Sequence, residues 1–348
     1  MKGLITFNHP GGKNVVLPVV SFLLNQHPDL QLDFAITSES SGLEEEFKER
    51  VHAYCLPENV SSEDLRSLDW NQYQFVLSGT SISGNLEKTV VREATRLKIK
   101  SYSIVDHWCN YLFRYEEKEG SFDSVPDIIF VPDDLAKVEM ESFGFDQSKI
   151  ISSGHPGLGS LEKKIHKLTS EDKNRIHKNL KLESGWEFAV FVSEPISQDE
   201  HSDSEIDERT VIQDFLIQQL SWLTQNRIQL FIKLHPRDDQ KKYSDLPIEV
   251  IPTHLDKFEI IQSARFVIGI DSMLLLESSL LNVPTFSLCS LVSGKLSIGE
   301  RLSWVKSFHP DQREKLLSLN DVSSVEILLH SNSCKLIGDK ILSEFIPA

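Results

Sequence analysis

Cysteine is scarce in this chain. Four of them, Cys55, Cys109, Cys289 and Cys334, are spread over 348 residues, and no two stand in a CxxC spacing. Such a scatter offers neither a disulfide framework nor a zinc ligand set, so reduced thiols in the cytoplasm are expected and a metal site is not. Positive charge is scarce too, with 36 Lys and Arg against 52 Asp and Glu, a formal net charge of -16. A nucleic-acid binder needs a cationic surplus to meet the phosphate backbone, so that class is excluded. An anionic bilayer would repel most of this surface, which leaves peripheral membrane association to a local basic patch. No apolar run approaches the roughly 18 residues of a membrane helix. The N-terminal MKGLITFNHPGG turns polar at Asn8 and reads as a first β-strand, not a signal peptide. Repeats of fixed period and low-complexity tracts are also missing.

What is present is an ordinary globular composition, 40% hydrophobic and 25% charged, in a length suited to two domains. Short apolar strands alternate with amphipathic helices, which predicts an α/β fold of two Rossmann-like, doubly wound domains. Strands are expected at 2–7, 32–37, 51–55, 73–78, 100–105, 127–131 and 149–152, then at 187–193, 228–234, 248–251, 266–270 and 284–288. Helices are expected at 14–26, 42–49, 85–97, 134–143 and 207–225. Residues 1–157 and 186–323 would form the two domains, joined by a charged helical linker at 158–185 and followed by a C-terminal helix at 324–348. Ligands of such sheets bind at the carboxyl ends of the strands, here expected in a cleft between the domains.

Several strand ends look chemical. FIKLHPRDDQ (231–240) closes an apolar run with Lys233, His235, Pro236 and Arg237. Pro236 stops the strand, so His235 stands at its end, able to donate to phosphate oxygens with Lys233 or Arg237 adding charge. VIGIDSMLLLESSLLNVP (267–284) hands Asp271 and Ser272 to the N-terminus of an apolar, buried helix at 271–281. Free amides there, with Ser272 Oγ, make a phosphate seat, and the lone charge Glu277 suits ribose hydroxyls. FVSEPISQD (191–199) brings Ser193 and Glu194 to another strand end. The adjacent carboxylates of PDD and RDD read as helix caps, not metal ligands.

The first half offers three such stretches. TFNHPGGKN (6–14) carries His9, Gly11 and Gly12 between strand and helix. Paired glycines either let the backbone approach a ligand or serve a tight turn. VLSGTSISGNLEK (76–88) places Thr80 and Ser81 at a strand end, lining a substrate site or capping the next helix. SIVDHWCNYLFRYE (103–116) delivers Asp106, His107 and Trp108 together. Either Asp106 or His107 could take a proton from an acceptor hydroxyl. Trp108, with Tyr111, Phe113 and Tyr115, could stack on a sugar face or simply pack.

In this order the motifs resemble the GT-B glycosyltransferase superfamily and its relatives, the non-hydrolysing UDP-N-acetylglucosamine 2-epimerases. By that resemblance Gly11 and Gly12 match the N-terminal glycine loop that meets the acceptor. Asp271, Ser272 and Glu277 match the donor-holding Asp-Ser-x-x-x-x-Glu loop, Ser272 toward phosphate and Glu277 toward ribose. SGHPGLGS (153–160) is similar to the Gly-Asn-Pro-like linker, with His155 in the Asn position. KLHP looks like the His-Pro element of bacterial sialyltransferases and CDP-glycerol polymer transferases, both users of cytidine nucleotides, where the His contacts donor phosphate. By that analogy His235 would be the donor-phosphate residue here. The sialyltransferases' acidic-acidic-glycine motif is not evident, so Asp106 or His107 stands in as the base. The epimerases' His-Arg-x-Glu-Asn stretch is replaced by SEPISQD. The resemblance implies a metal-independent glycosyltransferase that needs no cofactor beyond its nucleotide-sugar substrate. Its donor would be CMP- or CDP-activated and its acceptor a glycan, a lipid-linked molecule or a protein, in bacterial surface glycan synthesis (capsule, lipopolysaccharide or glycoprotein). A homo-oligomer is compatible with all of this. Two alternatives stand beside it: an epimerase or nucleotide-sugar hydrolase on the same fold, and a non-catalytic nucleotide- or sugar-binding protein.

Overall fold

The computed structural model describes residues 1–38, 47, 51–116, 121–161, 168–196, 207–317 and 330–345. The helix expected over 42–49 lies outside them apart from Phe47. The chain divides into two compact units. Unit 1 holds Met1–Leu161 and Val325–Ala348, and unit 2 holds Glu162–Ser324.

Unit 1 is built on seven parallel strands in the order β3-β2-β1-β4-β5-β6-β7. They are β1 (Lys2–Thr6), β2 (Gln31–Thr37), β3 (His52–Leu56), β4 (Phe75–Ser78), β5 (Lys100–Ile104), β6 (Ile128–Val131) and β7 (Ile150–Ser152). Central strands such as IIFV of β6 are buried at every position, as a parallel sheet covered on both faces requires. The helices are α1 (Pro10–Gln26), α2 (Leu86–Arg96), α3 (Tyr111–Tyr115), α4 (Asp134–Ser142) and α5 (Pro156–Gly159). Helix α1 starts at Pro10, not at residue 14 as expected. Proline's fixed φ and missing N–H suit a first helical position, so Gly11 and Gly12 fall inside the first turn.

Unit 2 carries six parallel strands in the order β10-β9-β8-β11-β12-β13. They are β8 (Glu187–Val192), β9 (Ile228–Lys233), β10 (Glu249–Val250), β11 (Val267–Gly269), β12 (Thr285–Ser287) and β13 (Lys306–Ser307). Strand β13 was not expected, because two residues reading Lys-Ser carry no apolar signal. The helices are α6 (Ser170–Asn179), α7 (Glu208–Gln225), α8 (Lys257–Ser263), α9 (Met273–Leu280), α10 (Cys289–Ser293) and α11 (Ile298–Arg301). Helix α6 falls in the expected linker but belongs to unit 2. It is capped by Thr169 in a capping box and tied to α8 by Arg175 Nη2 at 2.9 Å from Glu259 Oε1.

The chain then returns to unit 1. Helix α12 (Ser333–Ser343) packs Ile337, Ile341 and Leu342 into the same apolar cluster as Val19, Val20 and Leu23 of α1. The contact is close: a Cβ on Gly338 of α12 would lie 2.5 Å from Phe22 Cδ1 of α1. No helix among the described residues is long and apolar enough to cross a membrane. In each sheet the strand order reverses once, between β1 and β4 in unit 1 and between β8 and β11 in unit 2. Such switch points are where open α/β sheets place their ligands.

Candidate functional site

At the unit 1 switch point the residues after β1, β4 and β5 come together around Asp106. Its carboxylate reaches the first turn of α1: a Cβ on Gly11 would sit 1.9 Å from Asp106 Oδ2. Gly11 is therefore the residue that leaves room for the Asp106 carboxylate. Gly12 has a different task, since a Cβ on Gly79 would come 2.8 Å from the Gly12 Cα. Of the two expectations for the pair, ligand approach or a tight turn, the packing shows close backbone approach: Gly11 admits Asp106 and Gly12 the end of β4.

The other oxygen, Asp106 Oδ1, accepts from Arg114 Nη1 and from Thr80 Oγ1, the latter at 3.3 Å. Arg114 also donates to Thr80 Oγ1 at 2.8 Å and, through Nε, to the Cys109 carbonyl at 3.0 Å. The two charged side chains are 3% and 16% exposed, Arg114 the deeper. Burial alone would raise the Asp106 pKa, but Arg114, followed by His107 and His155, outweighs it and holds the carboxyl below its ordinary value. Asp106 is thus a fixed carboxylate and a weak base. Arg114 was missed by sequence reasoning; it reaches back because Asn110, with φ of 57°, turns the chain before α3.

His107 stands beside this pair, half-buried, with its Nδ1 3.1 Å from Cys109 Sγ. Burial opposes ionisation of that thiol, but His107 and then Arg114 bring its pKa below the ordinary value. Trp108 does not offer a face to a sugar. It is 2% exposed, stacks on His155 at 5.9 Å, and donates from Nε1 to Asp133 Oδ2 at 2.6 Å. Tyr111 and Tyr115 are buried as well, whereas Phe113 is exposed.

Thr80 and Ser81 also turn inward. Ser81 Oγ donates to Glu87 Oε2 at 2.8 Å, and Glu87 Oε1 accepts from the Asn8 amide at 2.8 Å. His9 precedes α1 without capping it; its Nε2 lies 2.8 Å from the Ser83 carbonyl oxygen. His155, in the expected linker motif, caps α5: its Nδ1 accepts from the Leu158 amide at 3.1 Å. The His155 amide in turn donates to His330 Nδ1 at 2.9 Å.

Gly11→Ala is therefore expected to push Asp106 off the end of α1 and to lower unfolding stability by about 1–3 kcal/mol. Gly12→Ala is the comparison, because its Cβ would meet nothing nearer than 3.5 Å. Urea unfolding midpoints of the two variants check the contrast, and equal midpoints would refute it.

The unit 2 switch point gathers the expected donor residues. Ser193 is fully buried, and its Oγ accepts from the His235 amide at 2.9 Å, so it fastens the His-Pro loop. His235 Nδ1 accepts from the Arg237 amide at 3.2 Å, which puts the proton of a neutral ring on Nε2. Asp238 anchors the same loop from below, accepting from Tyr243 Oη at 2.8 Å. Lys242 pairs with Glu208, the fully buried first residue of α7.

Asp271 and Ser272 divide their work differently from expectation. Ser272 is the N-cap of α9, its Oγ accepting from the Leu274 amide at 3.3 Å. Asp271 instead reaches a different helix, α11, which Ser297 caps: its Oδ1 accepts from the Ile298 amide at 2.8 Å. Its own amide donates to Glu194 Oε2 at 3.0 Å, which links the ends of β8 and β11. Glu277 is ion-paired, with Oε2 2.7 Å from Lys257 Nζ. Helix α9 is half-buried, Leu275 and Leu276 facing inward while Ser272 and Glu277 stay partly exposed.

The paired carboxylates behave as caps: Asp133 accepts from Ala136 of α4, and Asp239 from Lys241. Among the described residues no group of three or more His, Cys, Asp and Glu is arranged to hold a metal ion.

A family model described as alpha-2,8-polysialyltransferase matches residues 152–312, less than half of the chain. No curated protein sequence matches significantly. Among solved structures, the chain is similar to UDP-GlcNAc 2-epimerase from Neisseria meningitidis bound to UDP-GlcNAc. That likeness has a TM-score of 0.67 at 14% identity over 99% of this chain and 100% of that one. The enzyme of the same name from Methanocaldococcus jannaschii gives 0.66 at 13% identity over 99% of both. The wall teichoic acid polymerase TagF, soaked with CDPG, gives 0.56 at 13% identity over 99% of this chain and 88% of that one. The fold is GT-B, two Rossmann-like units each built on a parallel sheet.

Proposed function

We propose that the chain is a glycosyltransferase that moves a sugar from a nucleotide-activated donor, with a cytidine nucleotide as the leading candidate, in surface glycan synthesis. The observation that carries this reading is the His-Pro loop at the unit 2 switch point. Ser193 and Arg237 hold His235 in one place and one tautomer, and the loop lies inside the stretch matched by the polysialyltransferase model. A fixed Nε2–H beside a sheet's carboxyl ends is a preorganised donor for a leaving phosphate, whose charge grows as the sugar departs.

In this reading His107 removes the proton from the acceptor hydroxyl, and the oxygen forms its bond to the anomeric carbon as the phosphate bond breaks. The His107 imidazole can accept a proton through a ring nitrogen, whereas Asp106 is held as a carboxylate by Arg114. Asp106 then serves as a hydrogen-bond acceptor that orients the hydroxyl. The donor would be held by His235, Ser272 and the residues around Glu277, with no cofactor beyond the nucleotide-sugar.

The test is thermal stabilisation by CMP, CDP, UDP, GDP and ADP, since a ligand that binds only the native state raises Tm. A cytidine nucleotide is expected to raise it, and His235→Ala to weaken that binding at least tenfold, the order of one charge-assisted hydrogen bond. Unchanged cytidine-nucleotide affinity in His235→Ala would remove the phosphate role.

A second reading has its own observation. The likeness to the 2-epimerases spans nearly the whole chain, at higher TM-scores than the polymerase gives. An epimerase or hydrolase would convert a UDP-sugar with no acceptor present, which a transferase would not.

A further inference from the structure

Cys109 differs from the other three cysteines in its surroundings. Cys289 is buried, and burial pushes its pKa up to about 11. Cys334 packs against the unit 1 core, and Cys55 is exposed on the edge strand β3. Cys109 is only half-buried and follows the end of β5, with Sγ 3.1 Å from His107 Nδ1. Its backbone is fixed as well, because Arg114 Nε donates to its carbonyl at 3.0 Å and Asn110 turns the chain at φ of 57°. A partly exposed thiol held against an imidazole, with a guanidinium on its own peptide, is the setting of reactive cysteines.

We propose that Cys109 is a thiolate site that reacts with small disulfides, glutathione disulfide among them, and that His107 is the group that makes it one. In the exchange the Cys109 sulfur attacks one sulfur of the disulfide. A new S–S bond forms, the old one breaks, and the other half leaves as a thiolate, so Cys109 is oxidised and the departing half reduced.

The charges around the sulfur favour this. Burial, the largest influence, and Asp106 oppose ionisation of the thiol, but His107 and Arg114 together outweigh them. Tyr111, its pKa raised by burial, stays neutral beside them. When Cys109 and His107 hold one proton between them as thiolate and imidazole, that proton lies on Nδ1, facing the sulfur, and the ring's lone pair is on Nε2. This is also the form in which His107 can take a proton from an acceptor hydroxyl. A mixed disulfide removes the sulfur's charge from Nδ1 and seats a peptide-sized group beside His107. Its effect on sugar transfer rests on the reading of His107 as the base; the reactivity of Cys109 does not.

The experiment is alkylation of the full chain by iodoacetamide between pH 9 and pH 6, followed cysteine by cysteine through peptide mass spectrometry. An ordinary thiol slows about 200-fold over that interval as its thiolate fraction falls. Cys109 should slow by no more than about a tenth of that factor, and comparing one thiol with itself removes the influence of access. His107→Asn should restore the steep profile at Cys109. An unchanged Cys334 rate in that variant reports that unit 1 is still folded. Glutathione disulfide should then leave a mixed disulfide at Cys109 that dithiothreitol reverses.

A wild-type Cys109 profile as steep as that of an ordinary thiol overturns the proposal without recourse to any variant. An unaltered profile in His107→Asn overturns the part given to His107. A chain that carries glutathione on Cys55 and none on Cys109 overturns the exchange. The predicted reactivity in a chain that transfers no sugar supports the thiolate site and removes only the reading of His107 as the base.

Discussion

Arg114→Met is expected to destabilise unit 1 by about 3–5 kcal/mol, because it strands the Asp106 carboxylate in a largely dry site. In the wild type, burial disfavours the charge on Arg114, but Asp106 more than compensates and raises the Arg114 pKa. Without the guanidinium the balance on Asp106 inverts, since burial is the largest influence on it and acts upward. Thr80 would keep a hydroxyl for Oδ1 but lose its own donor from Arg114. The double variant Asp106→Asn/Arg114→Met should recover part of the loss, as no buried charge is then left alone. Urea unfolding of the four proteins in that cycle measures the coupling, and additive losses would show that the pair is not energetically linked. Arg114→Lys should fall between, because a point charge cannot reach Asp106, Thr80 and the Cys109 carbonyl at once.

Acid is expected to weaken unit 1 in a defined window. His155 and His330 are buried, and each ring accepts a backbone N–H at Nδ1, which only a neutral tautomer can do. Burial pushes the His155 pKa down to about 4, and burial with His155 pushes His330 down to about 3. The unfolded chain takes up protons from about pH 6.5 downward while the folded one does not, so stability rises with pH across this range. The full contribution is present above about 6.5. It is lost as pH falls toward 4 and 3, with a slope of about 1.4 kcal/mol per pH unit for each histidine. Tm measured between pH 7 and pH 4 should therefore decline. His330→Asn, which keeps an acceptor but cannot titrate, should flatten the decline. An equally steep profile in that variant would assign the acid sensitivity elsewhere.

The strands were legible because a doubly covered parallel sheet demands continuous apolar runs, and EFAVFV or FVLS can be little else. The strand-end residues were legible for the same reason, since polarity returns abruptly where burial stops. The partners of those residues were not. Ser193 and His235 are 42 residues apart, and only the register of β8 on β9 brings the hydroxyl to the His235 amide. Arg114 lies close to Asp106 in sequence, but its return depends on the left-handed turn at Asn110. The start of α1 had a readable signal in Pro10, and taking the glycines for a loop concealed it. Glu277 was visible as a lone charge in an apolar stretch; Lys257, its partner, stands in an unremarkable DKFEII segment. For Trp108 the sequence left sugar stacking and packing open, and the ring packs on His155 and donates to Asp133, neither of them near it in sequence.

The two units differ in how they are threaded. Unit 2 is one uninterrupted stretch, whereas unit 1 is completed only when the last segment of the chain returns to α1. During synthesis, unit 2 can close on itself while α12 is still being made, and the first 161 residues must wait with part of their apolar face uncovered. A chain shortened before Ser333 would accordingly spare unit 2 and expose Val19, Leu23 and their neighbours on α1. Dividing the protein for separate expression favours the same unit: residues 162–324 can be cut out as they stand, but unit 1 needs Leu161 and Val325 rejoined by a new linker.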